Sequence, residues 1–150
     1  MRQAIRQAEM AFEADEVPVG AVAVYKNKII AKAHNQMRTL KDPTAHAEMI
    51  AITQAANYLQ AERLLDVDFY VTLEPCAMCA GAMVWARIHR LVYGAADLKA
   101  GACGSVLNLL QHPELNHRVE LVPAICAEEC GALMTEFFRQ KRVEDLGRNN

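Results

Sequence analysis

Helical and extended apolar patterns alternate along the whole chain, and that alternation most constrains what it can fold into. Residues 1 to about 14 read as an amphipathic helix, with Ile5, Ala8 and Phe12 at helical spacing and Arg2, Arg6, Glu9 and Glu13 opposite. Pro18 blocks continuation of that helix and favours extended backbone ahead of it. Val19 to Tyr25, the turn Lys26-Asn27-Lys28 and the segment Ile29-Ile30-Ala31 read as a β-hairpin. Asp42-Pro43-Thr44 marks a turn and helix start, and the helix over Ala45 to Leu59 places Ala45, Met49, Ile52 and Ala56 on one side. Phe69 to Leu73 is a strand closed by Pro75, Cys76 to Ala86 a helix of small residues, and Leu91-Val92-Tyr93 a strand ending at Gly94. After the glycine-rich loop Ala100 to Gly104, Ser105 is placed to cap a short helix over Val106 to Leu110. Val119 to Val122 is a last strand, and Ala127 to Arg142 a last amphipathic helix carrying Leu133, Met134, Phe137 and Phe138. The pattern predicts an α/β fold of layers, with helices covering a central sheet.

At 150 residues the chain suits one domain, and its 53% apolar and 23% charged residues are those of an ordinary globular protein. Its longest apolar run, Val17 to Tyr25, is broken by Pro18 and Gly20, far short of the roughly 20 residues a membrane span needs. The N-terminus is charged throughout and lacks an apolar export core, so the expected address is cytoplasmic, with no membrane partner. In that reducing compartment five cysteines argue for metal ligation or plain burial rather than disulfides. A net charge of −2 argues against a broad grip on phosphates, so any nucleic-acid contact must use a local patch. Two basic clusters are available, Arg87-His89-Arg90 and Arg139-Lys141-Arg142. The second adjoins Phe137 and Phe138 and is the candidate phosphate-binding edge.

Three residues form a candidate metal set: His46, Cys76 and Cys79. Cys76 and Cys79 open a helix, where free backbone N–H groups and the helix dipole favour thiolates. Two thiolates and an imidazole suit zinc, and three protein ligands leave the fourth tetrahedral position for water. Zinc lowers the pKa of such a water to about 7. Hydrolysis by such a water also needs a proton shuttle, and Glu48, two residues after His46, is placed for it if its surroundings raise its pKa. His46-Ala47-Glu48 followed by Pro75-Cys76-Ala77-Met78-Cys79 is the H-x-E…P-C-x-x-C signature of zinc-dependent base deaminases.

Further segments carry a narrower resemblance: Val17-Pro18-Val19-Gly20-Ala21-Val22, Asn35, Asp42 to Glu48, Thr72 to Ala82, Tyr93-Gly94-Ala95 and Asn116-His117-Arg118-Val119. On these the chain resembles the bacterial tRNA-specific adenosine deaminases of the cytidine deaminase-like superfamily. The resemblance implies a three-layer α/β/α fold, with a central mixed sheet flanked by helices, in one zinc-dependent domain over residues 1–150. It implies one zinc ion per chain, a homodimer, and hydrolysis of the wobble adenosine of a tRNA anticodon, an arginine tRNA, to inosine. Zinc-bound hydroxide would attack C6 while Glu48 accepts and then delivers protons. Asn35 matches the base-recognising asparagine, and Asp97, Lys99, Asn116, His117 and Phe138 fall where the family contacts the anticodon loop or lines the pocket. A wobble base lies in a single-stranded loop and can be splayed out without breaking a duplex.

Blander readings stand beside these. A purely structural zinc site would need a fourth ligand from Cys103, Cys126 or Cys130, and it would leave Glu48 without a purpose. Those three cysteines are otherwise expected to be buried apolar groups, and Trp85, Met78 and Met83 core or interface packing. A deaminase of a free base or nucleoside shares the same signature, and the acidic balance suits it slightly better. A non-catalytic, zinc-stabilised RNA-binding module is the alternative from another class.

Overall fold

A five-stranded mixed sheet in the order β2-β1-β3-β4-β5 forms the centre of the computed structural model, which describes residues 1–148. Its strands are β1 (Gly20–Tyr25), β2 (Lys28–His34), β3 (Val67–Leu73), β4 (Arg90–Ala95) and β5 (Glu120–Val122). β1 runs antiparallel to β2 and β3, whereas β3, β4 and β5 are parallel. The helices are α1 (Arg2–Glu13), α2 (Met37–Leu40), α3 (Ala47–Leu59), α4 (Ala77–Ala86) and α5 (Ala127–Arg148). α1 and α5 pack together against β1 and β4, while α3 and α4 contact each other and α3 covers β1 and β2. This is the expected three-layer α/β/α arrangement around a mixed sheet.

Close approach between layers explains much of the small-residue content. A Cβ on Gly20 would lie 1.9 Å from the carbonyl oxygen of Ala4, so α1 can sit this near β1 only over glycine. On α3 the fully buried stripe is Ala47, Ala51 and Ala55; of the expected set, Ala45 is buried and Ile52 and Ala56 pack against the core, while Met49 does not join it. Alanines at that spacing let the helix settle close to the sheet, and they turn Glu48 inward with them. The core proper gathers Val67, Phe69 and Val71 of β3 with Leu64, Met83, Ile88 and Leu91.

Three elements depart from expectation. The helix expected over Val106 to Leu110 does not form. The N–H groups of Val106 and Leu107 donate back to Gly101, and Ser105 gives its hydroxyl to Glu74 rather than capping a helix. The short α2 was not expected, because one turn carries no apolar period. α5 continues to Arg148, beyond the expected Arg142. Among the described residues no helix is long and apolar enough to cross a membrane.

Candidate active site

The sheet register brings four chain segments to one end. The parallel strands β3 and β4 finish there, at Leu73 and Ala95. Because β1 runs the other way, its start at Gly20 and the end of β2 at His34 lie at the same end. α3 and α4 both begin there, with His46 and Cys76 at their N-cap positions. Neither side chain makes a capping hydrogen bond, which leaves both free for another task.

That task is visible in the distances. His46 Nδ1 lies 3.6 Å from Cys76 Sγ and 3.5 Å from Cys79 Sγ, and the three donor atoms all fall within 4.8 Å of one another. Zinc–nitrogen and zinc–sulfur bonds of about 2.0 and 2.3 Å at a tetrahedral angle give an N···S edge of about 3.5 Å. Among the described residues no fourth histidine, cysteine or carboxylate joins the cluster, so Cys103, Cys126 and Cys130 do not complete a closed structural site.

Electrostatics agree with the geometry. Hydrogen bonds from Cys79 and His46 pull the Cys76 thiol down to about 3, while the bond to Cys76 and burial push Cys79 up. The same Cys76 contact, against burial, raises His46. Without a cation, then, this space tolerates one thiolate but not two. A divalent, thiophilic ion is what lets both cysteines ionise, and the donor set fits zinc.

Glu48, in the first turn of α3, is only 4% exposed, and its Oε2 is buried with no hydrogen-bond partner among the described residues. Burial raises its carboxyl to about 7, against the opposing pull of His46. A buried carboxylate oxygen left without a partner is costly, and such a group beside a metal set is positioned for a ligand. Asn35 follows β2, held by its own N–H to the Val19 carbonyl (3.1 Å). Its Oδ1 accepts from the Ala47 N–H at 2.8 Å. The amide orientation is thereby fixed, because only the oxygen can accept, and the NH2 end remains for an acceptor in the pocket.

These groups meet at a cavity of ≈ 1040 Å³, lined by Asn35, His46, Glu48 and Cys76. Asp97 and Lys99 from the loop after β4, and Phe138 from α5, form part of its wall.

A model of the MafB19-like deaminases matches residues 1–142. The tRNA-specific adenosine deaminase of Bacillus subtilis is 47% identical over 142 residues, covering 95% of this chain and 88% of its own. That of Aquifex aeolicus is 49% identical over 144 residues, with 95% and 93% covered. The chain belongs to the tRNA-specific adenosine deaminase family. A solved structure from a study of A-to-I editing by tRNA:A34 deaminases at the wobble position superposes with a TM-score of 0.86. It is 44% identical and covers 89% of this chain and 96% of that one.

Two residues suggested by the family resemblance do not join the cavity. His117 Nε2 pairs with the Ile88 carbonyl at 2.7 Å, and the Asn116 carbonyl lies 3.5 Å from Arg87 Nη1. Both therefore sit by the start of β4, at the opposite end of the sheet from the metal set. Sequence reasoning also missed two buried carboxylates, Glu16 and Glu74, each 2% exposed. Neither has a local pattern that announces burial, since their partners lie more than twenty residues away in the chain.

Proposed function

We propose that this protein hydrolytically deaminates adenosine to inosine at the wobble position of a tRNA anticodon. The observation that carries the reading is the unpartnered, buried Oε2 of Glu48 beside three zinc-type donor atoms at the wall of an open cavity. Relatives named tRNA-specific adenosine deaminase, at 47% and 49% identity over most of the chain, support the substrate class. The narrower assignment, an arginine tRNA, rests on the resemblance in sequence.

His46, Cys76 and Cys79 would hold the zinc, which supplies Lewis acidity and brings a water's acidity into the neutral range. Glu48 takes a proton from the attacking water as the water's oxygen bonds to C6, and passes that proton to N1 of the adenine ring. It then carries the second proton to the amine at C6, so the water's oxygen remains as the inosine O6 and ammonia leaves. Burial, which raises this carboxyl above the ordinary carboxylate value in the metal-free fold, favours a group that both accepts and donates near neutral pH. Asn35 donates its NH2 to a ring nitrogen, and Asp97, Lys99 and Phe138 at the wall contact the flanking nucleotides. Asn116 and His117 are not assigned to this pocket.

The working unit in this proposal is a homodimer in the cytoplasm. Trp85 on α4 is 83% exposed, and a second copy covering it would remove a large apolar side chain from water. The test is inosine formation in an arginine tRNA anticodon stem-loop by zinc-loaded protein, with Glu48→Ala as control. Inosine that vanishes in the control supports the reading. If folded, zinc-loaded protein makes none, but releases ammonia from free guanine, cytosine or cytidine, the RNA substrate is wrong and the zinc chemistry stands.

A further inference from the structure

The loop between β4 and β5 is wrapped around one buried carboxylate. Glu74 directly follows β3, and its N–H continues the sheet by donating to the Ala95 carbonyl at 2.8 Å. Its side chain carries four further contacts. Oε1 accepts from the Asp97 N–H (3.4 Å) and the Ser105 hydroxyl (2.5 Å). Oε2 accepts from the N–H groups of Cys103 (3.1 Å) and Ser105 (3.3 Å). Among the described residues no lysine, arginine or histidine pairs with it, so backbone dipoles and one hydroxyl supply its solvation.

Two further details tie this carboxylate to the site. A Cβ on Gly101 would fall 2.0 Å from Glu74 Oε2, so only glycine lets the loop close this tightly around it. Gly101 also bridges to Cys76, and the Ala102 N–H donates to the Pro75 carbonyl at 2.8 Å. The loop is thus anchored on both the carboxylate and the turn that presents the thiolates. Its outer residues, Asp97 to Ala100, line the cavity, and Leu98 among them is 81% exposed at its edge. Burial and the Glu74 charge together push the Cys103 thiol up, which leaves that cysteine a packing group rather than a nucleophile.

We propose that Glu74 is a positioning residue: by holding Asp97, Cys103 and Ser105 together it sets where Asp97–Leu98–Lys99 stand over the cavity, and so which nucleotides flanking the target base fit there. The inference deepens the RNA-loop reading above and rests on it for the identity of the ligand. Glu74 touches no reacting atom, because both its oxygens are occupied by loop donors. Glutamine in its place keeps the shape but offers one oxygen and two N–H donors to a set of partners that are themselves donors.

The experiment compares zinc-loaded wild type with Glu74→Gln and Ser105→Ala, by amide hydrogen exchange over residues 97–107 and by steady-state kinetics on the anticodon stem-loop. Expected for Glu74→Gln is exchange of the Asp97, Cys103 and Ser105 amides faster by about tenfold. KM rises by about tenfold while kcat changes less than about twofold and zinc content is unchanged. Ser105→Ala moves both readouts the same way by less. Unchanged exchange and KM in folded Glu74→Gln overturn the proposal. So does a fall in kcat with lost zinc at constant KM, which would make Glu74 a support for the thiolate turn alone. Should Glu74→Gln fail to fold, Ser105→Ala decides by the same two readouts. If wild type makes no inosine, the substrate reading has failed, and amide exchange alone decides whether Glu74 holds the loop.

Discussion

The Oδ1 of Asn35 accepts the N–H of Ala47 at 2.8 Å, so the residue that ends the hairpin also satisfies the first turn of the helix bearing Glu48. One amide thereby has a structural end, its oxygen, and an uncommitted end, its nitrogen, which the proposed function gives to the substrate. The two separate by substitution. Asn35→Ala orphans a buried N–H and lowers stability by about 1–3 kcal/mol. Asn35→Asp keeps the acceptor for Ala47 but cannot donate to a ring nitrogen. Its melting temperature should stay nearer to wild type than that of Asn35→Ala, while kcat/KM falls by at least about tenfold. Equal activity of wild type and Asn35→Asp would show that the NH2 does not meet the base.

Glu48 connects activity to stability in the opposite sense. Its carboxyl is raised from 4.5 to about 7 by burial, so the fold favours the protonated form. The folded state therefore binds more protons than the unfolded one between those values, and stability from this group is full below 4.5 and lost as pH rises through about 7. Chelator-treated wild type should lose melting temperature across that window, and Glu48→Gln should flatten the loss. The same variant should retain zinc yet lose activity by about 10²–10⁴-fold. A parallel pH profile for the two metal-free proteins would show that Glu48 ionises freely in the fold.

The elements legible in the sequence were those with a period or a punctuating residue. The helices now seen as α1, α3, α4 and α5, and the strands on either side of Lys26–Asn27, were all readable. So were His46, Cys76, Cys79 and Glu48, because two helix starts concentrate the chemistry in short motifs. What escaped was set by distant partners. Ser105 before an apolar pair reads as a helix cap, yet Glu74 takes its hydroxyl from 31 residues away. α2 is a single turn whose N–H groups at Arg38 and Thr39 are satisfied by Glu16, again from outside the local window. On α3 the expected side does meet the core through Ile52 and Ala56, but the fully buried stripe is Ala47, Ala51 and Ala55, because close packing on the sheet selects alanines.

Glu16 supplies a second pH signature. It is 2% exposed and accepts the N–H groups of Arg38 (3.1 Å) and Thr39 (2.6 Å) and the Thr39 hydroxyl (2.9 Å). Burial pushes its carboxyl up, but the bonds from Thr39 and Arg38 outweigh that and leave it below the ordinary value of 4.5. An acid with a depressed folded pKa stabilises the fold above its unfolded value and loses that contribution as pH falls through the lowered one. Glu16→Gln should therefore cost about 1–3 kcal/mol at neutral pH. The gap to wild type should narrow as pH drops below 4.5. Thermal melting of both proteins across pH checks this, and a gap independent of pH would mean the ionised form is not what holds α2.

The basic stretch at the end of α5 divides into unequal parts. Arg139 is committed to Glu136, with Nε and Nη2 at 2.8 and 2.7 Å from its two oxygens. Lys141 is shared between Asp15 and Glu144, whereas Arg142 lines the cavity and has no ion pair among the described residues. An uncommitted guanidinium at the cavity edge costs least to place against a phosphate, since no existing pair must break. Arg142→Ala should weaken stem-loop binding and lower the slope of log affinity against log salt by about one. Arg139→Ala should change both less, because that charge is already neutralised. Titrations at several salt concentrations check the order, and an Arg139 effect equal to that of Arg142 would place the phosphate path along the outer face of α5 instead.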